Sequence, residues 1–469
     1  MALLSFLDRE HSIAKPGYNR WRVPPAALAI HLSIGQAYAF SVFKLPMSKL
    51  LGISQSAPGD WPLSETQWVF SLAIVFLGLS AAVFGSWLER VGPRRAMFTA
   101  ALCFSGGFLI AAVGVRLHLF WLVLGGYGVL GGIGLGLGYI SPVSTLIKWF
   151  PDRPGMATGM AIMGFGGGAF IASPLSVILM KRYETPTSVG VWETFVTMGI
   201  IYFVYMMFGV FTVRLPPPGW KPRGFVPPAT PQRLVTTSHV SVNEAIRTPQ
   251  FWLLWVMLCV NVSAGIGILE QASPMIQEIF SGRIGPAAAA GFVALLSLAN
   301  MIGRFSWASA SDYIGRKTTY LIFFSLGAAL YITIPIAGNL QSVVLFVLCT
   351  VVILSMYGGG FATIPAYLRD LFGTMEVGAI HGRLLTAWSV AGVVGPSLVN
   401  TMREHEIALG VPRPHVYDQT MYIVAGLLLV GLICDLMVRP VDEKHHYQGN
   451  VTEPVRGPVP APAAATGGR

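Results

Sequence analysis

Apolar positions along this chain run together instead of alternating with polar ones. About twelve stretches of roughly 20 residues stand out, the length that takes a helix across a bilayer core. They fall near 24–46, 65–88, 96–115, 119–147, 155–180, 192–213, 249–273, 286–310, 318–337, 341–365, 380–402 and 418–438. Only helices and closed barrels satisfy their own backbone in lipid, and continuous runs select helices over the alternating strands of a barrel. The pattern predicts an all-α membrane protein with 12 transmembrane helices. One long polar interruption, "RLPPPGWKPRGFVPPATPQRLVTTSHVSVNEAIRTPQ", is Pro-rich and basic and divides the runs into two groups of six. The expected organisation is a cytoplasmic tail over 1–23, a six-helix bundle over 24–213, a linker over 214–248, a second bundle over 249–438 and a disordered cytoplasmic tail over 439–469.

Composition agrees with the pattern. Hydrophobic residues make up 54% of the 469 and charged residues only 11%, against about a quarter charged in a soluble domain. The first short apolar stretch is broken by Asp8, Arg9 and Glu10, so the first span is expected to be a retained helix and not a cleaved signal. With the N-terminus inside, the cytoplasmic segments hold 22 of the 31 Lys and Arg residues, the bias that sets orientation. The net charge of +10 therefore belongs to topology and anionic lipid, with no nucleic-acid partner expected. Both termini are expected in the cytoplasm, in a multi-pass protein of the cell (inner) membrane. The four cysteines are scattered through apolar segments and read as small packing residues.

The two groups of six repeat one another. "GSWLERVGPRR" after the second span returns as "ASASDYIGRK" after the eighth, pairing Glu89 with Asp312 and Gly92 with Gly315. The offset, about 223 residues, also carries Pro142 of "GYISPVSTLIKWFP" onto Pro365 of "FATIPAYLRDLFG". Two landmarks at one spacing indicate a duplicated six-helix unit.

These residues resemble the major facilitator superfamily, whose signature loop reads roughly G-x-x-x-D-R-x-G-R-R. Gly85, Glu89, Arg90, Gly92, Arg94 and Arg95 match it, with Glu in place of Asp and Pro93 before the Arg pair; Asp312, Gly315 and Arg316 repeat it. A carboxylate at a helix end beside arginines makes a breakable latch on the inner face; plain positive-inside anchoring is the blander alternative. More narrowly, "GQAYAFSVF", "KWFPDRPGMATGMAIMGFGGGAF" and "LTAWSVAGVVGP" resemble the oxalate/formate antiporter family, close to the monocarboxylate transporters. The resemblance implies two six-helix bundles with a carboxylate site between them.

Arg304 is the residue that asks for an explanation. It sits in "AAGFVALLSLANMIGRFSWASASDYIGRKT", eight residues before Asp312, or about 12 Å along a helix. Arg at a helix centre costs roughly 2.5–3.5 kcal/mol even on insertion scales. It either snorkels to the inner surface or faces a cavity and pairs with a carboxylate. Asn300 lies one turn earlier on the same face and can orient the guanidinium or bind the ligand. The resemblance implies that an arginine in this helix binds the substrate carboxylate. It also implies a lysine in the eleventh helix, where this chain has Trp388. One fixed positive charge suits a monoanion such as pyruvate, lactate or formate better than oxalate. Tyr38, Tyr139, Tyr357, Phe361 and Trp388 fall on helices that line the cavity in this superfamily, each either wall or packing.

For proton coupling the candidates are His31 and Glu270 of "GIGILEQASPM". His31 is otherwise a helix-packing histidine and Glu270 a loop-edge residue, and proton symport and anion exchange both stay open. Gly128, Gly132 and Gly136 form a small-residue stripe for close helix packing, and "GFGGGAF" reads likewise. No HExxH, Walker sequence or convergent catalytic set is present, so no enzyme, cofactor or metal is expected. The expected partners are a small carboxylate anion, protons and membrane lipids, with the protein a monomer. The competing readings are a drug or other organic-solute exporter of the same superfamily and a transporter-derived membrane sensor.

Overall fold

The computed structural model describes residues 5–222, 224, 234–236 and 238–448, without the side chains of residues 63, 64, 270, 286, 287 and 290. Most of the linker's 223–237 stretch and the tail from residue 449 therefore lie outside the described residues. Fourteen helices build the spans: α1 (Pro24–Ile34), α2 (Ser41–Met47), α3 (Leu63–Val91), α4 (Pro93–Arg116), α5 (Phe120–Trp149), α6 (Pro154–Tyr183), α7 (Val191–Thr212), α8 (Pro249–Ile279), α9 (Pro286–Ile314), α10 (Arg316–Asn339), α11 (Val343–Phe372), α12 (Val377–Leu384), α13 (Thr386–Ala408) and α14 (Asp418–Met437). Among the described residues, eleven helical segments are long and apolar enough to cross a membrane, and twelve when the bent pair α1 and α2 is one span.

Local chemistry sets the helix ends. Proline opens α1, α4, α6 and α8, where its missing N–H costs nothing. Thr248 and Ser342 cap α8 and α11 by accepting the backbone N–H of Phe251 and Leu345. Gly92 joins α3 directly to α4 at φ 86°, and Gly315 joins α9 to α10 at φ 87°, a backbone region that a side chain strains. The repeat read from sequence is thus a repeated turn.

Three spans depart from the straight helices expected. The first is interrupted by a 3₁₀ segment, Gly35–Ala39, and its two parts meet at 46°. The fourth contains a π-helical stretch, Leu124–Gly131, before it regains α geometry. The eleventh is split at Leu385 into α12 and α13.

Helices pack closely where glycine permits. Gly132 and Gly136 lie against the α3 backbone at Ala73 and Leu77, and Gly128 against Leu72. The described chain ends on one face: Ile13 bridges Leu215, Val240 bridges His446, and Arg20 holds Asp152 of the α5–α6 turn. That face carries the α3–α4 and α9–α10 turns, and it is the one that the Lys and Arg bias assigns to the cytoplasm. Cys103, Cys259, Cys349 and Cys434 are free.

Candidate functional site

Roughly two-thirds of the way along α9, Arg304 is fully buried. Its Nε donates to Asn300 Oδ1 at 3.0 Å, the one-turn spacing at work, while Nη1 and Nη2 have no hydrogen-bond partner. The guanidinium does not snorkel. It lies 5.7 Å from the ring centre of Phe165 on α6 and 5.3 Å from that of Phe361 on α11, so it projects into the seam between the bundles.

Around it the helices converge in an aromatic cage. Trp388 of α13 stands 4.4 Å from Phe361, 5.3 Å from Tyr139 on α5 and 5.5 Å from Phe165. Tyr38, in the 3₁₀ break of the first span, packs edge-on to Phe165 at 4.9 Å, and its hydroxyl meets that of Tyr357 across the seam at 3.2 Å. Arg304, Asn300, Tyr38, Tyr139, Tyr357, Phe361 and Trp388 are thus gathered in one place. The polar atoms left unpaired on this wall are Arg304 Nη1 and Nη2, Trp388 Nε1, Tyr139 Oη and the two ring nitrogens of His381. The guanidinium and indole nitrogens only donate, while the phenol and the imidazole can donate or accept. The guanidinium end of the wall suits an acceptor-bearing ligand.

His31 is buried with its two ring nitrogens facing the carbonyl oxygens of Ala161 and Tyr139, so it ties α1 to α5 and α6. Glu270 belongs to α8, and its side chain is outside the described residues.

Below the cage the cytoplasmic face is closed by two matching contacts. Asp312 accepts the backbone N–H of Gly155 and of Met156, both at 2.8 Å, at the N-terminus of α6. Glu89 accepts the N–H of Gly378 at 3.1 Å at the N-terminus of α12, together with Ser144 at 3.0 Å and Lys148 at 2.6 Å. Gly155 and Gly378 are related by the same offset as Glu89 and Asp312. A carboxylate at a helix N-terminus gains from both the free N–H groups and the helix dipole. Arg316 donates to Asp312 at 2.5 Å and to Asp370 at 3.1 Å. The loop arginines do not partner Glu89, as the latch reading had them doing. Arg94 donates to the Phe6 and His11 carbonyls, Arg95 to Asp8, and Arg90 is exposed. The helix terminus across the seam is the better partner, because it arrives with its N–H groups already aimed.

The sequence pattern of the Major Facilitator Superfamily is matched by residues 26–396. The chain belongs to that superfamily. A major facilitator protein works by secondary active transport through alternating access, and is not an enzyme. Relatives of this one include the oxalate:formate antiporter of Oxalobacter formigenes, 27% identical over 81% of this chain and 84% of its own. The apicoplast pyruvate carrier 1 of Toxoplasma gondii is 24% identical over 70% and 68%. Among solved structures, the proton:xylose symporter XylE matches with a TM-score of 0.65 at 15% identity, over 89% of this chain and 95% of that one, a likeness of fold alone.

Several residues of this transporter's site were not legible beforehand. Phe165 lies inside "GFGGGAF", where the glycines drew the reading to helix packing. His381, on α12 across the Leu385 break from Trp388, is buried with both ring nitrogens unpaired and 5.8 Å from the Tyr139 ring that Trp388 also meets. Gly155 and Gly378 act through backbone N–H groups, which leave no side-chain signal.

Proposed function

We propose that this major facilitator protein carries small carboxylate anions, with monocarboxylates such as pyruvate, lactate or formate preferred to oxalate, and that Arg304 binds the carboxylate. One observation supports this above the rest: a buried guanidinium at the seam has its two terminal nitrogens without a hydrogen-bond partner, beside the unpaired Trp388 Nε1–H and the Tyr139 hydroxyl. Each buried unpaired donor costs about 1–3 kcal/mol, and a carboxylate removes that cost at two donors in a single bidentate contact. Trp388 in place of a second cation leaves one fixed positive charge for one negative one. The names of the oxalate:formate antiporter and the pyruvate carrier point the same way and support reading this chain as one of the oxalate/formate antiporter group.

Transport then follows from charge. With the anion bound, the pair at Arg304 is neutral, and the apolar walls of Phe165, Phe361 and Trp388 can close over it at lower cost. Uptake of labelled pyruvate, lactate, formate and oxalate into proteoliposomes tests the reading. Arg304→Ala and Arg304→Lys are expected to lower uptake of the preferred acid by about 10–100-fold, the value of a charge-assisted pair. Wild-type rates in both variants would remove Arg304 from the site.

A further inference from the structure

Two buried histidines flank the Tyr139 ring, and one of them lacks its hydrogen bonds. His31 stands 5.3 Å from that ring and turns its two nitrogens on the carbonyl oxygens of Ala161 and Tyr139. His381 stands 5.8 Å away, is 1% exposed, and has neither nitrogen partnered. Among the described histidines it alone is buried in that condition. Buried polar groups in a native fold are almost always paired. A bare imidazole on the wall of a substrate cage calls for a partner that arrives with the substrate.

The fold fixes the direction in which His381 faces. α12 lies tight on the first bundle through two glycines: a Cβ on Gly378 would press on Ser144 of α5, and one on Gly382 would run into the Ala81 carbonyl of α3. His381 is three residues past Gly378 and on the same side of α12. It therefore meets α5 further from the cytoplasmic face, at Tyr139. Tyr139 also meets Trp388 at 5.3 Å, and its hydroxyl is unpaired, as is Trp388 Nε1.

The cage thus offers two kinds of polar group. Arg304 Nη1 and Nη2 are charged donors that a carboxylate answers. The others are uncharged: the indole donates, the phenol does either, and a neutral imidazole has one N–H and one bare nitrogen that accepts. That bare nitrogen is the one unpaired atom of this wall that can only accept. A carboxylate, an oxo group or an alkyl chain has no hydrogen to give it. A hydroxyl does, and its oxygen can accept from Trp388 Nε1 or Tyr139 at the same time.

We infer that the transporter selects short hydroxy-monocarboxylates, with Arg304 on the carboxylate and His381 accepting the hydrogen of the hydroxyl. This rests on the carboxylate reading of Arg304 and narrows it. Lactate falls inside the class, while formate, pyruvate and unsubstituted acids leave the His381 acceptor unmet. A site that hydrogen-bonds a substrate hydroxyl rejects the analogue lacking it strongly, because its own buried groups are then stranded. His381 is a specificity residue in this scheme.

The test uses the full chain, measuring counterflow in proteoliposomes and thermal stabilisation in detergent with lactate, 3-hydroxypropionate, pyruvate and propionate. Propionate is lactate without the hydroxyl, pyruvate replaces the hydroxyl by an oxo group, and 3-hydroxypropionate moves it one carbon along. For the wild type, at least one hydroxy acid is expected to act at about tenfold lower concentration than propionate and pyruvate. His381→Phe and His381→Leu remove both nitrogens at different volumes, and each is expected to cut that advantage to about twofold or less. His381→Gln keeps a donor and an acceptor and is expected to fall between these and the wild type. A histidine that only packs would weaken all four acids together, so a ratio unchanged from wild type in the variants that fold overturns the proposal. So does a wild type that treats hydroxy acids and propionate alike, and in that case Arg304-dependent counterflow still supports the carboxylate reading. If none of the four acids binds or exchanges, that reading falls and this proposal with it.

Discussion

At the scale of single residues, Trp388 is where the proposed monocarboxylate preference can be tested. Its ring fills the space between Phe361, Tyr139 and Phe165, and its Nε1 is buried without a partner. Trp388→Lys puts a second cation within the cage and removes a large apolar wall. Oxalate uptake is expected to rise relative to formate uptake, and an unchanged ratio in a side-by-side transport assay would show that Trp388 does not set valence. A different residue reports on the closed face. Burial alone would raise the Asp152 carboxyl, but the Arg20 guanidinium, at 2.6 and 2.9 Å, more than offsets it and holds it below the usual carboxylate range. A depressed carboxyl contributes stability that is fully present above its unfolded pKa of about 3.9 and is lost as pH falls through the lower folded value. Thermal unfolding in detergent should therefore show Asp152→Asn destabilised at pH 7, with the gap to wild type closing below about pH 4. The sequence made Arg304 and Asn300 legible because a four-residue spacing and a charge in an apolar run are local signals. Asp435 of α14, a carboxylate buried where that helix packs on α10 and α8, escaped because it stands near the end of its run, where an acidic residue passes for the polar edge of a span.

Among elements, the helices that meet across the seam do so through missing side chains. A Cβ on Gly155 would collide with the Ala308 carbonyl and crowd Asp312, and a Cβ on Gly85 would meet the Ala379 backbone. These glycines let α6 approach α9 and α3 approach α12 on the cytoplasmic face. Gly155→Ala is expected to loosen the α6–α9 contact and favour the conformation open to the cytoplasm. The measurement is labelling of a cysteine at Thr158 (Thr158→Cys), whose hydroxyl now donates to the Ala362 carbonyl across the seam at 2.6 Å. In a background lacking the four native cysteines, labelling by an impermeant thiol reagent in inside-out vesicles should quicken several-fold with Gly155→Ala, and an unchanged rate would mean that α6 tolerates the methyl group where it is. The spans themselves were legible because a run of twenty apolar residues has few other fates. Their interruptions were not. Neither Gly35–Ala39 nor Leu385 contains proline, and each break is imposed by what the helix meets: Gly35 lies against the Phe165 carbonyl, and Ser389, one turn beyond Leu385, donates to the Val75 carbonyl.

For the whole molecule, the two latches share a geometry that matters more than either does alone. Asp312 holds α6 from the second bundle and Glu89 holds α12 from the first, so each bundle supplies one carboxylate and one helix terminus. Hydrogen bonds between a carboxylate and backbone N–H groups contribute about 1.5–3 kcal/mol. If the bundles move as rigid bodies, neither latch can open without the other, and the free energies of both enter one equilibrium. Asp312→Asn and Glu89→Gln should then each shift the population toward the cytoplasm-open conformation, and the double variant should shift it by the product of the two single effects. His381→Cys provides the readout, since His381 lies between the cage and the Glu89 latch and is sealed from water in this conformation. Thiol labelling rates from the cytoplasmic side, compared across the four backgrounds, give the two single ratios and the combined one. Multiplication of the ratios establishes one concerted closure. A double variant no faster than the faster single variant would show that α12 swings independently at its Leu385 break, and the inner gate would then be a hinge in one helix instead of a seam between bundles.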